Sequence, residues 1–126
     1  MTEIINEVQK RIDLLKLIDG FMAAVNDLRS KSNLEAGNSY HEPLRIRAGR
    51  VGGDWVAIDK VDGGSGSVYC FVRMTDGQTR TLGSLKAGDI HKPATYKAPA
   101  KHARASVLDA DYGFSCAELY GIQYLR

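Results

Sequence analysis

Hydrophobic residues in the first part of the chain recur with the period of an α-helix. Two apolar stripes, about 100° apart around the helix axis, both have heptad spacing. The first contains Ile5, Val8, Ile12, Leu15, Met22 and Val25, and the second contains Leu14, Leu17, Phe21, Ala24 and Leu28. This pattern predicts a helix over residues 2–30. Gly20 interrupts it, and because glycine costs about 1 kcal/mol against alanine inside a helix, we expect a kink or a break between two helices there.

A helix with two apolar stripes has two surfaces to bury. We expect one stripe to pack on this chain's own sheet and the other on a partner chain, which predicts a homo-oligomer, either a dimer or a hexamer. A single broad apolar face on one large core is the other interpretation of the same pattern. In the first interpretation, residues 1–36 anchor the protein and mediate oligomerisation.

Beyond residue 36 the apolar positions alternate with the period of a β-strand. The alternation predicts strands at residues 44–48, 55–61, 68–74, 79–82 and 114–124, with loops at residues 30–43 and 83–88. The glycine-rich residues 62–67 lie between two strands and precede no GK[ST] motif, so they predict a hairpin turn rather than a phosphate loop. The predicted fold is α+β: an N-terminal helix or kinked helix pair, then an antiparallel β-sheet with a long basic loop. We expect residues 37–126 to form the ligand-binding part of a single compact domain.

Positive charge is concentrated in residues 91–107, HKPATYKAPAKHARASV. This stretch contains Lys92, Lys97, Lys101 and Arg104 and no acid, whereas the whole chain has a net charge of +2. Pro93 and Pro99 each remove a backbone donor and oppose a regular helix or a central strand. We therefore expect a stiff basic loop. Two roles stay open for it, namely capture of an anion such as a phosphate, or a solvated linker that is only solubilising.

Aromatic and acidic residues near this stretch extend the candidate site. Tyr69, Phe71 and Arg73 share one face of a predicted strand, where an aromatic ring can stack on a base and an arginine can hold a phosphate. The same pattern is equally consistent with a second buried face under the helix. Asp109 and Asp111 follow the basic stretch, where they can bind ribose hydroxyls or pair with a neighbouring arginine.

The composition disfavours several function classes. The three histidines are scattered and Cys70 and Cys116 are far apart, so we expect no metal site and two buried thiols. No serine has the GxSxG context of an activated nucleophile, and we expect neither enzyme activity nor a cofactor. The net charge is too low for a general nucleic-acid coat. We see no signal peptide and no run of about 18 apolar residues, so we expect no membrane segment.

Two motifs carry a resemblance to a known family. The strand SVYCFVR, followed after a variable loop by KPATYKAPAKHARASVLDAD, resembles a pattern in small phage-encoded proteins, the Thoeris anti-defence proteins of the first type. In that pattern a strand S-V-x-C-F-V leads into K-P-A-x-x-K-A-P-A-K-x-x-R. The resemblance covers about residues 44–126, and the order of helix and antiparallel sheet is also similar.

The resemblance implies a protein that sequesters a signal molecule without catalysis. Members of that family capture cyclic ADP-ribose isomers made by bacterial TIR-domain enzymes, some also take up cyclic oligonucleotides, and their sites lie between subunits. The implied setting is the cytoplasm of a host cell during phage infection. The implied ligand-binding residues are Phe71 on a base, Arg104 on phosphate with Lys101 and Lys97 beside it, Arg47 and Arg50 as weaker matches, and Asp109 and Asp111 on ribose.

The chain departs from that pattern at two places, and two other functions stay open. Residues 78–88 form a longer loop than the pattern has, and Ala105 stands where it has glycine, which bears on the identity of the ligand. A small single-stranded nucleic-acid-binding protein would use the same bases and aromatics, with an affinity that falls steeply with salt. A phage interaction or structural protein would instead depend on the helix stripes, so that Leu17→Asp would impair it and Arg104→Ala would not.

Overall fold

The computed structural model describes residues 2–47 and 53–123, with side chains from Ile5 onward. This part of the chain contains the helix α1 (Thr2–Ala36) and the strands β1 (Arg45–Ile46), β2 (Trp55–Asp62), β3 (Ser65–Arg73), β4 (Gly77–Thr79), β5 (Gly83–Leu85), β6 (Asp89–Pro93) and β7 (Pro99–Ser106). One N-terminal helix thus precedes an antiparallel sheet of five strands, in the order β1-β2-β3-β6-β7. The predicted α+β class is confirmed.

The helix α1 is continuous over 35 residues, so the predicted break into two helices at Gly20 is wrong, and the alternative of a kink stays a prediction. The ring of Tyr112 lies against Gly20, and a Cβ added at Gly20 would be 3.0 Å from the Tyr112 ring. Glycine therefore allows this ring to approach the helix backbone closely.

The helix buries one face against the sheet, and this face combines residues of both predicted stripes. It consists of Leu14, Ile18, Phe21 and Val25, each at most 7% exposed, and it packs in one core with Val56, Ile58, Val72 and Ile90 of the sheet. In the first predicted stripe, Leu15 and Met22 also pack against this core, whereas Ile5, Val8 and Ile12 are 64%, 51% and 42% exposed. A homo-oligomer formed through these three exposed residues stays a prediction.

The helix continues to Ala36, past its predicted end at residue 30. Side chains on its last turns hold the segment that follows. Asn26 Oδ1 accepts a bond from the Leu44 N–H at 2.8 Å, and Asn33 bonds to both the carbonyl and the N–H of His41, at 2.7 and 2.9 Å. Because these bonds satisfy backbone groups of the neighbouring loop, they stabilise helical turns whose own sequence favours a loop.

A buried ion-pair network joins the helix to the end of β2. Arg29 is 1% exposed, donates to three backbone carbonyl oxygens and places Nη2 2.7 Å from Asp62 Oδ1. The same carboxylate bonds to His41 Nδ1 at 2.7 Å. Burial alone would raise the pKa of Asp62, but the His41 bond and the charges of Arg29 and Lys60 outweigh burial and hold that pKa below its usual range. The network therefore fixes the helix, the loop after it and β2 relative to one another.

The strands β2 and β3 form the long central hairpin. Gly63 and Gly64 make its two-residue turn with φ angles of 58° and 87°, so the hairpin turn predicted in residues 62–67 is confirmed. A bulge in this hairpin makes Tyr69 the extra residue of β3. The Tyr69 ring consequently packs in the helix-side core, with its centroid 6.4 Å from that of Phe21.

The predicted long basic loop at residues 91–107 is wrong, because this stretch forms the hairpin β6–β7. The connection is short, and we call its residues 94–98 the strap. Pro93 ends β6, Pro99 begins β7, and the two prolines face each other across the hairpin. Proline is tolerated at the first residue of a strand and on an edge strand, because its missing N–H removes no ladder bond there.

Two further strand predictions are wrong. β4 and β5 form a separate two-stranded sheet in place of the predicted strand at residues 79–82 and the loop at residues 83–88. Phe114–Cys116 is a turn of 3-10 helix instead of the start of a closing strand, because Asp111 accepts bonds from the N–H groups of Gly113 and Ser115 and so favours a turn. The end of the predicted strand, residue 124, lies outside the described residues.

Both cysteines are buried free thiols, as predicted. Burial raises the pKa of Cys116 to about 11 and raises the pKa of Cys70 well above its ordinary value, so both thiols stay protonated at neutral pH. Within residues 2–47 and 53–123, no helix has the combination of length and apolar character that crossing a membrane requires.

Candidate ligand-binding site

The face of the sheet that points away from α1 carries a transverse row of side chains. β2 and β3 pair Ala57 with Phe71, and β3 and β6 pair Phe71 with His91. Directly paired residues of antiparallel strands point to the same face. Arg47 extends the row, because its backbone N–H donates to the Ala57 carbonyl oxygen at 2.9 Å. An arginine, an aromatic ring and an imidazole therefore lie side by side across the sheet.

The strap crosses this face and is held at its far side. Although the strap connects β6 and β7, Tyr96 at its centre reaches Arg47, which follows β1 at the other edge of the sheet. Arg47 Nη1 donates to the Tyr96 carbonyl oxygen at 2.8 Å, and the guanidinium carbon lies 3.8 Å from the centroid of the Tyr96 ring. One residue thus gives Arg47 both a hydrogen bond and a cation–π contact.

A small cavity lies between the strap and the sheet. Its volume is about 40 Å³, and its walls are Arg47, Trp55, Ala57, Phe71, Lys97 and Pro99. A water-sized probe needs about 10–15 Å³ of such volume, so the closed cavity holds a few waters at most. Three of the residues predicted to bind ligand, Arg47, Phe71 and Lys97, therefore meet at one place.

Aromatic rings form the floor of this cavity. Phe71 is 4% exposed, and its ring lies edge-to-face with Trp55 at a centroid distance of 6.5 Å. Trp55 is half-buried and also contacts the His91 ring at 5.0 Å. The guanidinium carbon of Arg73 lies 5.2 Å from the Trp55 ring centroid. The sequence left Phe71 open as either core or stacking platform, and in the closed structure it is buried against Trp55.

Arg47 is held in place by an acidic partner. Its Nε and Nη2 donate to the two carboxylate oxygens of Asp59 at 3.0 and 2.8 Å. The hydrogen bonds that Arg47 donates to Asp59 raise the pKa of Arg47 further, against a smaller opposing effect of burial. Arg47 is therefore charged, and the remaining nitrogen, Nη1, is the one that meets the strap.

His91 lies beneath Trp55 with one ring nitrogen unsatisfied. Its Nδ1 donates to the Ala100 carbonyl oxygen at 2.7 Å, which leaves Nε2 as the acceptor of a neutral ring. Burial lowers the pKa of His91, and Nε2 has no hydrogen-bond partner among the described residues. A buried acceptor without a partner is the kind of group that a water or a ligand donor satisfies.

Among the described residues, Lys101 and Arg104 are not walls of this cavity. Lys101 is exposed on β7. Arg104, also on β7, donates from Nε to the Gln123 carbonyl oxygen at 3.2 Å. Arg50 lies outside the described residues. The roles predicted for these three residues stay predictions.

Asp109 and Asp111 bond to the backbone of their own turn. Asp109 Oδ2 accepts from the Ser106 N–H at 3.1 Å, and the two oxygens of Asp111 accept from Gly113 and Ser115 at 3.0 and 2.8 Å. These bonds account for both side chains structurally, and their predicted contact with ribose stays a prediction. Within the described parts of the chain, no three His, Cys, Asp or Glu side chains are grouped as metal ligands would be.

Sequence reasoning missed Trp55 and Tyr96. Trp55 begins a predicted strand and is spaced two positions from Ala57, so the strand period already put it on the face that holds the cavity. Tyr96 is the only aromatic residue of the basic stretch, but no local pattern shows that it folds back onto Arg47.

Residues 3–122 match a family model described as a family of unknown function, DUF7717. All the cavity residues lie within this range. No curated protein matches the chain, and no solved structure matches it. The resemblance to Thoeris anti-defence proteins therefore stays a prediction from the motifs.

Proposed function

The chain belongs to DUF7717, a family of unknown function, and we propose that it binds a small phosphate-bearing nucleotide beneath the strap without converting it. The observation that carries the proposal is the meeting of two aromatic rings, Trp55 and Phe71, with two cations, Arg47 and Lys97, around one cavity. Aromatic rings stack on bases, and guanidinium and ammonium groups pair with phosphate oxygens.

Arg47 is the cation best suited to a phosphate. Asp59 fixes the plane of its guanidinium, while Nη1 bonds only to the strap carbonyl among the described atoms. The exposed Lys97 at the other wall adds a second positive charge. A ligand oxygen that replaced the Tyr96 carbonyl would gain a charge-assisted bond with an already oriented donor.

Nucleotide binding requires the strap to move. Ligand pockets in proteins typically have about 300–1,000 Å³, whereas the closed cavity has about 40 Å³. Tyr96, which fastens the strap, is 59% exposed, so its contacts with Arg47 are open to competition from solvent and ligand. We propose that the ligand displaces Tyr96 from Arg47 and occupies the space above Trp55 and Phe71.

The ligand class follows from the motif resemblance, and so does the setting. We propose cyclic ADP-ribose isomers as first candidates and cyclic oligonucleotides as second ones. The protein would keep such a signal from its receptor in the cytoplasm of a phage-infected host cell and so block immune signalling. A homo-oligomer formed through Ile5, Val8 and Ile12 is part of this proposal, since these side chains are exposed.

A thermal-shift series tests the proposal. The purified chain is heated with cyclic ADP-ribose isomers, cyclic di- and trinucleotides and short single-stranded DNA. A ligand at 100 times its dissociation constant stabilises the native state by about 2.7 kcal/mol. We expect one cyclic nucleotide to raise the melting temperature, to do so less in Lys97→Ala, and to be recovered unchanged after denaturation.

Arg80→Ala is the matched control, because Arg80 is an exposed base in the turn between β4 and β5 and is not a wall of the cavity. It should respond to the ligand as the wild type does. Absence of a shift with every cyclic nucleotide contradicts the proposal, and recovery of a hydrolysed product contradicts its non-catalytic part. A shift with DNA alone that disappears as salt rises would favour the single-stranded nucleic-acid function.

A further inference from the structure

Only a short part of β3 pairs with β6. The strand pairs with β2 along its whole length, but with β6 only through Phe71 and Val72. β6 ends at Pro93, which has no N–H group, and the next two N–H groups, of Ala94 and Thr95, donate to the Ala98 carbonyl oxygen within the strap. Residues 65–68 therefore have no neighbouring strand on the β6 side among the described residues.

The register of the hairpin shows which backbone groups face this gap. Asp62 and Ser65 flank a two-residue turn, so they exchange hydrogen bonds with each other. Successive residues of a strand direct their N–H and C=O groups to opposite sides. The N–H and C=O groups of Gly66 and Val68 consequently point away from β2 and into the gap, while those of Ser67 point to β2.

The gap is an open groove large enough for a chain segment. Its volume is about 290 Å³, and its walls are Gly66, Ser67 and Val68 on one side and Pro93, Ala94, Thr95 and Tyr96 on the other. Gly66 and Ser67 are exposed and Val68 is half-buried. Because Gly66 has no side chain, a second backbone can approach its N–H and C=O groups closely.

The charge around the groove favours an acidic occupant. The hairpin that forms one wall belongs to residues 91–107, which contain four bases and no acid. Lys92 and Arg104 bond to the carbonyl oxygens of Ile122 and Gln123, so the exposed Lys97 and Lys101 are the charges that an occupant can meet. Lys97 directly follows the wall residue Tyr96 and is exposed. Side chains of an added strand that project from this wall would therefore meet positive charge, which attracts carboxylates and repels bases.

We propose that the free edge of β3 at residues 65–68 binds an extended acidic peptide segment of a partner protein as an added strand. Gly66 and Val68 supply the main-chain hydrogen bonds, and the basic hairpin supplies the preference for acidic side chains. The groove shares the strap with the nucleotide cavity, but the inference rests on the free edge of β3 and does not depend on the function proposed for that cavity.

Amide hydrogen exchange on the full chain tests the inference residue by residue. The probe is an acetylated seven-residue peptide that alternates valine and glutamate. At saturating peptide, exchange at the amides of Gly66 and Val68 should slow by about tenfold or more, because each gains a hydrogen bond. Exchange at Ser65 and Ser67 should change little, since their amides already face β2. Unchanged exchange at Gly66 and Val68 would overturn the inference.

Three controls separate strand addition from other binding. The same peptide with N-methyl groups on every residue is blocked along both of its edges, and it should give no protection. A valine–lysine peptide should bind at least about tenfold more weakly at low salt, where charge repulsion is strongest. Protection of Gly66 and Val68 that grows with protein concentration alone would instead identify a second copy as the occupant and overturn the acidic-peptide inference.

Discussion

Helix propensity predicts the energetic effect of Gly20 but not its structural role. Gly20 weakens the helix locally, as its propensity predicts. The Tyr112 ring, which packs at the position that a Cβ would occupy, lies far away in sequence, so no local pattern shows the contact. The structure therefore explains the glycine through packing, where the sequence suggested a kink.

A double-mutant cycle at this contact separates propensity from packing. Gly20→Ala should give less than its propensity gain of about 1 kcal/mol, because the new Cβ would lie 3.0 Å from the Tyr112 ring and the ring would have to shift. In a Tyr112→Ala background the same change should stabilise the protein by about 0.5–1 kcal/mol. Urea unfolding of the four proteins measures both effects, and an equal gain in the two backgrounds would contradict the packing explanation.

Asp62 makes the stability of the fold depend on pH in the acidic range. Its pKa is lowered in the folded state by His41, Arg29 and Lys60 against the opposing effect of burial, so its ionised form stabilises the fold above its ordinary pKa. That stabilisation is lost as the pH falls through the folded-state pKa. Asp62→Asn removes it at every pH and leaves Arg29 as an unpaired buried charge, at a cost of about 3–5 kcal/mol near neutral pH.

Urea unfolding at a series of pH values checks this linkage. The difference in unfolding free energy between wild type and Asp62→Asn should shrink between about pH 5 and pH 2. Asp27→Asn, at an exposed pair with Lys31 on the helix surface, should change the unfolding free energy by less than about 1 kcal/mol throughout. A constant wild-type-to-Asp62→Asn difference over this pH range would rule out the lowered pKa.

At the scale of elements, the basic stretch shows why proline residues do not always indicate a loop. Two prolines in residues 91–107 indicated a loop, yet Pro93 and Pro99 occupy the two strand ends where a missing N–H is harmless. The concentration of charge was visible in the sequence. The division of this stretch into β6, the strap and β7 could not be predicted from its residues, because it depends on the pairing of β6 with β3 and with β7.

The register of the central hairpin shows why the sequence alone could not predict which residues meet around the cavity. A hairpin turn was predicted within residues 62–67, and an unbroken ladder from the observed Gly63-Gly64 turn would pair Ala57 with Cys70. The bulge at Tyr69 shifts the pairing by one residue, so Ala57 lies opposite Phe71. The motif resemblance implied Phe71 and Arg47 as ligand-binding residues. Their meeting with Trp55 depends on this bulge, which the residue pattern does not show.

The strap can be tested as an element without any ligand. Tyr96→Ala removes the ring that contacts Arg47 and should make the Trp55 fluorescence more accessible to quenching by acrylamide. Because Tyr96 is 59% exposed, the unfolding free energy should fall by less than about 1 kcal/mol. Both variants keep the backbone carbonyl group that accepts from Arg47, but only Tyr96→Phe keeps the ring, so the quenching of Tyr96→Phe should match the wild type. Equal quenching in Tyr96→Ala and wild type would show that the strap stays closed without this contact.

For the whole molecule, the sequence predicted the α+β arrangement of helix and antiparallel sheet because helix and strand periods are local properties of the chain. The predicted second surface for a partner chain stays a prediction, since Ile5, Val8 and Ile12 are exposed but Val25 of the same stripe is buried in this chain's own core. The face that holds the cavity depends on contacts between residues far apart in sequence, such as Arg47 with Tyr96. Such contacts follow from the assembled sheet and from no single segment.

The most direct test of nucleotide binding beneath the strap is a titration followed by the fluorescence of Trp55, the only tryptophan of the chain and a wall of the cavity. Cyclic ADP-ribose isomers and cyclic oligonucleotides are added in turn to wild type, Lys97→Ala and Arg80→Ala. We expect a saturable change with one of them, an affinity about tenfold lower in Lys97→Ala, equivalent to about 1.4 kcal/mol, and wild-type behaviour in Arg80→Ala. No saturable change with any of these nucleotides, or equal affinities in Lys97→Ala and wild type, would contradict binding at this site.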